Sequence, residues 1–93
     1  MSFTKESAIQ RAKTDLAGRL SVLESEIEEV SADDADFPDM SLGAAVDGEM
    51  SAQMISSGWR ITLRANGKNF EYRADKYQLR LYGFNGTNHI IKS

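Results

Sequence analysis

The sequence predicts an α+β domain in which an N-terminal helix packs on a curved antiparallel sheet of three to five strands. Three observations predict it. Residues 4 to 21 carry apolar side chains at helical spacing. An Asn66-Gly67 pair joins two alternating segments, the pattern of a tight hairpin. The chain has 93 residues, 41% of them hydrophobic, which is enough for one modest core and a single domain over 1–93.

In the helix, Ile9, Ala12, Leu16, Leu20 and Leu23 recur every three or four residues and form one narrow stripe. Lys5, Glu6, Lys13 and Asp15 fall mainly on the other side. Thr4 or Ser2 can cap the start by accepting a backbone N–H bond. Gly18 weakens the last turn by about 1 kcal/mol relative to alanine. Residues 26–32 (EIEEVSA) follow as a polar strand, whose broken alternation suits a sheet edge with a bulge. Residues 33–50 then read as a loop that opens on the acidic run DDADFPD. SAQMI at 51–55 suggests the start of another strand, interrupted by a turn at Ser56-Ser57-Gly58.

The hairpin spans 59–73. With Asn66-Gly67 as its two-residue turn, Ala65 faces Lys68, Leu63 faces Phe70, and Ile61 faces Tyr72. Trp59, Ile61, Leu63, Phe70 and Tyr72 then share one face, and Arg60, Thr62, Arg64, Glu71 and Arg73 share the other. Turn and hydrophobic pattern give the same register. A further strand over 77–82 points Tyr77, Leu79 and Leu81 inward and Gln78, Arg80 and Tyr82 outward. A second Asn-Gly turn at Asn85-Gly86 introduces a short last strand through Ile90 and Ile91.

Net charge is −3, unevenly spread. Residues 1 to 55 hold 4 Lys/Arg against 12 Asp/Glu, whereas residues 56 to 93 hold 7 against 2. The halves offset each other if they pack together. A net negative domain is poorly suited to nonspecific nucleic-acid binding, which rests on neutralising phosphates. With no cysteine there is no disulfide framework and no thiolate site. The apolar runs are far too short for a membrane span, and MSFTKES is not a signal peptide, so a cytoplasmic location is expected.

Laid out this way, the chain resembles a small uncharacterised α+β domain found in many bacterial proteins, cyanobacterial ones among them. The matching residues are Ala8, Arg11, Ala12, Lys13, Asp15, Leu16 and Ala17, then Ile27, Glu28, Val30 and Ser31. Phe37-Pro38-Asp39-x-Ser41-Leu42-Gly43, Gly48 and Gln53 come next, followed by Gly58-Trp59-Arg60-Ile61 and Phe70-Glu71-Tyr72-Arg73-Ala74-Asp75. They cover most of residues 8 to 75 in the same order and spacing. Members of that family tend to have Trp at the Phe37 position and Cys-Pro at Ala44-Ala45, so whatever the cysteine does elsewhere is absent here. The resemblance implies a fold but no activity. The layout is broadly cystatin- or PepSY-like, an analogy of architecture only.

No constellation carries catalysis. Ser41 is preceded by Asp39 rather than by the glycine of a nucleophile elbow. The single histidine, His89, lies near the end of the chain. No Walker A loop or dinucleotide fingerprint is present, and no cofactor is expected. Asp33, Asp34, Asp36 and Asp39 offer hard oxygen ligands for Ca²⁺, but without EF-hand spacing. Arg60, Arg64, Arg73 and Arg80 are expected to share an exposed sheet face, a basic surface for an acidic partner. The sequence therefore points to a non-enzymatic protein-binding module, an inhibitor or regulator. Its candidate surfaces are those arginines and the loop with Phe37, Pro38, Asp39, Ser41 and Leu42. Ca²⁺ or small-ligand binding through Asp33–Asp39 is the first alternative, and nucleic-acid binding through the arginine face the second.

Overall fold

Thr4 starts the helix in a reciprocal cap: its hydroxyl accepts from the Ser7 N–H, and the Ser7 hydroxyl accepts from the Thr4 N–H. The computed structural model describes residues 2–92 and places this helix, α1, at Lys5–Leu20. Ser21 ends it in the left-handed region, so the helical stripe stops at Leu20 and Leu23 turns out to solvent. A 3₁₀ turn at Glu24–Glu26 leads into β1 (Glu28–Phe37). The other strands are β2 (Ser56–Ala65), β3 (Lys68–Ala74), β4 (Leu79–Phe84) and β5 (Thr87–Lys92). Neighbours in the chain pair antiparallel throughout, giving one open five-stranded sheet in the order β1-β2-β3-β4-β5. The chain is an α+β domain. No helix among the described residues is long and apolar enough to cross a membrane.

The β2–β3 hairpin has the register set by its turn, with Ala65 opposite Lys68, Leu63 opposite Phe70 and Ile61 opposite Tyr72. Asn66 and Gly67 both take positive φ, as the two-residue turn requires. Ile61, Leu63, Tyr72, Leu79 and Leu81 point to the helix and are fully buried against Ala8, Ala12 and Leu16. The Tyr72 hydroxyl crosses this layer and donates to the Asp15 carboxylate at 2.7 Å. Burial and that carboxylate both push the phenol's pKa up, so it stays protonated.

Three boundaries differ from the sequence reading. Residues 33–37, expected in the loop, are the second half of β1, because backbone pairing with Ser56 to Arg60 outweighs the polarity of the side chains. A register shift between Glu29 and Ser31 marks the bulge. Ser56-Ser57-Gly58 is not a turn but the start of β2, and residues 51–55 form no strand. A side chain at Gly58 would place its Cβ only 2.0 Å from the Ala74 carbonyl oxygen, so glycine here serves close backbone approach. Tyr77, expected inward, is 70% exposed. The Asp75 carboxylate accepts from the N–H groups of Tyr77 and Gln78 and holds them in a turn, which delays β4 to Leu79.

Candidate functional site

Between β1 and β2 the chain has to travel from Phe37 to Ser56, and it does so across the sheet face opposite α1. Residues 38–49 form a strap over that face. Its shape begins at Asp39, whose Oδ1 accepts from the Ser41 N–H, the Ser41 hydroxyl and the Gly43 N–H at 3.0, 2.7 and 3.0 Å. These donors stabilise the carboxylate and hold its pKa below the ordinary range, with Gly43 the largest contributor. Leu42 and Gly43 follow in the left-handed region at φ 60° and 65°. Gly43 is also the point of closest approach, since a Cβ there would lie 2.7 Å from a nitrogen of Arg73.

The sheet holds the strap through side chains that reach its backbone. Arg73 donates to the Leu42 and Gly43 carbonyls at 3.0 and 3.1 Å, and its Nε bonds Glu71 at 2.7 Å. Its guanidinium also lies 3.8 Å above the Tyr82 ring and 5.5 Å from the centre of the Phe37 ring. Arg80 donates to the Ala44 carbonyl and forks onto Glu49 with two bonds of 2.5 Å. That fork lowers the Glu49 pKa. Gln78 donates to the Met40 carbonyl and accepts from Arg80, and Asn88 donates to the Ala45 carbonyl. Phe37, Ser41, Leu42 and Ala44 are buried beneath this network.

The expected basic surface is therefore divided. Arg80 is 3% exposed and Arg73 is largely covered, so two of the four arginines are strap anchors rather than a solvated face. Phe37, Ser41 and Leu42, expected on a contact loop, are equally inaccessible. Alternation along the β2–β3 hairpin places Arg60, Arg64 and Arg73 on the outer face, but it does not reveal that a distant segment covers that face. Arg60 and Arg64 remain exposed, with Arg60 paired to Glu71 at 3.3 Å. Pro38 is exposed and Asp39 partly so. Glu49, Gln78 and Asn88 are structural partners that the sequence reading missed. Glu49 and Arg80 stand 31 positions apart, with no local pattern to join them.

The aspartates do not converge. Asp33 stands opposite Arg60 and so faces the strap side. Asp34 stands opposite Trp59 on the helix side and bonds Lys5 at 3.2 Å. Asp36 accepts from Ser57, and Asp39 is occupied inside the strap. No group of three or more His, Cys, Asp or Glu among the described residues is arranged to hold a metal ion. Asp33, Asp34 and Asp36 are strand residues of an edge, not a loop chelate.

The segment after the strap exposes apolar side chains. Beyond Glu49 the chain has no regular structure until Ser56, and Met50, Met54 and Ile55 are exposed, at 97%, 62% and 74%. Ile55 lines a groove of about 340 Å³ together with Met40, Ser56, Ser57, Asp75, Lys76 and Tyr77. Tyr77 and Met40 are themselves 70% and 43% exposed. The sequence carries a signal, three methionines and an isoleucine within 40–55, but by pattern 51–55 suggests the start of a strand.

A family model described as a domain of unknown function (DUF8738) matches residues 9–81. No curated protein and no solved structure matches the chain.

Proposed function

The chain belongs to the DUF8738 family of domains, and on that premise we propose that it is a small non-enzymatic protein-binding module, an inhibitor or regulator of its partner. The observation that carries this reading is the groove in which Met40, Ile55 and Tyr77 are exposed, together with the exposed Met50 and Met54 of the segment leading into it. Large apolar side chains clustered at the surface of a small domain mark contact sites, and flexible methionines suit an adaptable one. The contact surface moves accordingly from the arginines to the methionine segment, with Pro38 and Arg60 as accessible neighbours on the strap side. The proposal includes a bacterial, cytoplasmic setting, in keeping with a cysteine-free chain.

The test places a photo-crosslinking residue at position 77, and as a control at Lys13 on the helix, in cells of the native host. One protein joined at 77 and not at 13, and then bound by the purified chain at least tenfold more weakly after Tyr77→Glu, supports the reading. The competing readings have their own signature in amide spectra. Shifts at Asp33–Asp39 with Ca²⁺, or salt-sensitive shifts at Arg60 and Arg64 with an oligonucleotide, would displace it.

A further inference from the structure

The two edges of the sheet are finished differently. β1, one outer strand, carries five carboxylates (Glu28, Glu29, Asp33, Asp34 and Asp36) and a bulge, devices that discourage another strand from pairing there. β5, the other outer strand, has the sequence TNHIIK, with no carboxylate and with β-branched residues that favour strand pairing. Ile90 is 40% exposed.

Beside the end of β5 lies a groove of about 560 Å³, lined by Phe3, Ser7, Gln10, Arg11 and Thr14 from the N-terminal segment and α1, and by Lys92. Its charged lining is basic, and Arg11 is exposed on α1. A strand edge next to a helix-walled groove is the arrangement in which an extended peptide adds to a sheet, main chain to main chain, while alternate side chains enter the groove.

We propose that the outer edge of β5 and this groove bind an extended acidic segment of a partner protein, which joins the sheet as an added strand. The apolar wall at Phe3 takes an apolar side chain, and Arg11 takes a carboxylate. This rests on the protein-binding reading above but names a second surface, distant in sequence from the methionine segment. Charge decides between occupants: the basic lining favours an acidic strand, and the carboxylates along β1 reject one.

The experiment titrates the full chain, labelled for amide NMR, with a blocked octapeptide of alternating valine and glutamate at pH 7. Three comparisons accompany it: a valine–lysine peptide, the acidic peptide N-methylated at alternate residues, and the Arg11→Glu variant. The proposal expects shifts and slowed exchange at Thr87–Lys92 and around Arg11. It also expects about tenfold weaker binding for the lysine peptide and for Arg11→Glu, and loss of binding for the N-methylated peptide, which keeps the charge but lacks strand donors. No shift at millimolar peptide, or equal binding of the N-methylated peptide, would overturn it. So would a concentration-dependent dimer through β5, which assigns the edge to a second copy. Shifts confined to Met40, Ile55 and Tyr77 would also overturn it while leaving the methionine surface in place.

Discussion

The two faces of one sheet are covered by different physics. On the helix side, aliphatic and aromatic side chains from β2, β3 and β4 meet alanines and a leucine of α1, and burial of apolar area holds the layers together. On the other side, Arg73, Arg80, Gln78 and Asn88 reach up to the backbone carbonyls of a strap that has no regular structure. A strap without helix or strand leaves carbonyls unpaired, and long polar side chains of the sheet supply the missing donors. The helix face is a core; the strap face is a polar clamp over a small apolar layer of Phe37, Leu42 and Ala44. Arginine on an outer strand position therefore need not signal a ligand.

The sharpest way to separate the faces is to damage each in turn. Leu81→Ala, at a fully buried position on the helix side, is expected to destabilise the whole domain by about 3 kcal/mol through lost burial and a residual cavity. Denaturant unfolding should show one cooperative loss. Arg80→Ala removes the fork to Glu49 and is expected to cost about 2 kcal/mol, below the usual range for a fully buried pair because Glu49 keeps contact with water. Its signature is local, with faster amide exchange in 40–49 and little change in α1.

Acid tests the strap face a second way. Asp39 and Glu49 both have folded pKa values below their ordinary ones, held down by Gly43 and by Arg80 respectively. Their stabilisation is complete above the unfolded carboxylate range near about pH 4 and is lost as pH falls through the folded values. Tryptophan fluorescence from Trp59 on the helix side should stay native while strap amides open first. The smallest effect expected is Tyr72→Phe, about 1 kcal/mol, because Asp15 keeps its 2.7 Å bond to Arg19 when the phenol is gone. A double-mutant cycle with Asp15→Asn checks that value.

The helix face was legible in the sequence because its information is local. Periodicity located α1, and Asn66-Gly67 with alternating apolar residues fixed the β2–β3 register. Even there, Tyr77 defeated the pattern, since a side-chain cap by Asp75 outweighed alternation. The strap face was not legible, because its bonds join residues 30 or more positions apart and target backbone oxygens, which carry no residue identity. The loop motif was visible as Phe37-Pro38-Asp39-x-Ser41-Leu42-Gly43, yet its meaning was not. Asp39 shapes the turn, Ser41 and Leu42 are buried, and Gly43 admits Arg73. The residues that looked most like a binding loop are those that fasten the strap. Met40, Met50 and Met54, which have no periodicity to announce them, are left exposed.

Residue-resolved amide exchange at pH 7 tests the central claim, that the strap is clamped to the arginine side while the methionine segment is open. The amides of Ser41, Gly43 and Ala44, each hydrogen-bonded within the strap, should exchange orders of magnitude more slowly than those of Met50 and Met54. They should lose that protection in Arg80→Ala. Equal, rapid exchange across 40–54 in the unaltered protein would contradict it, and would return Arg73 and Arg80 to the solvent as a binding surface.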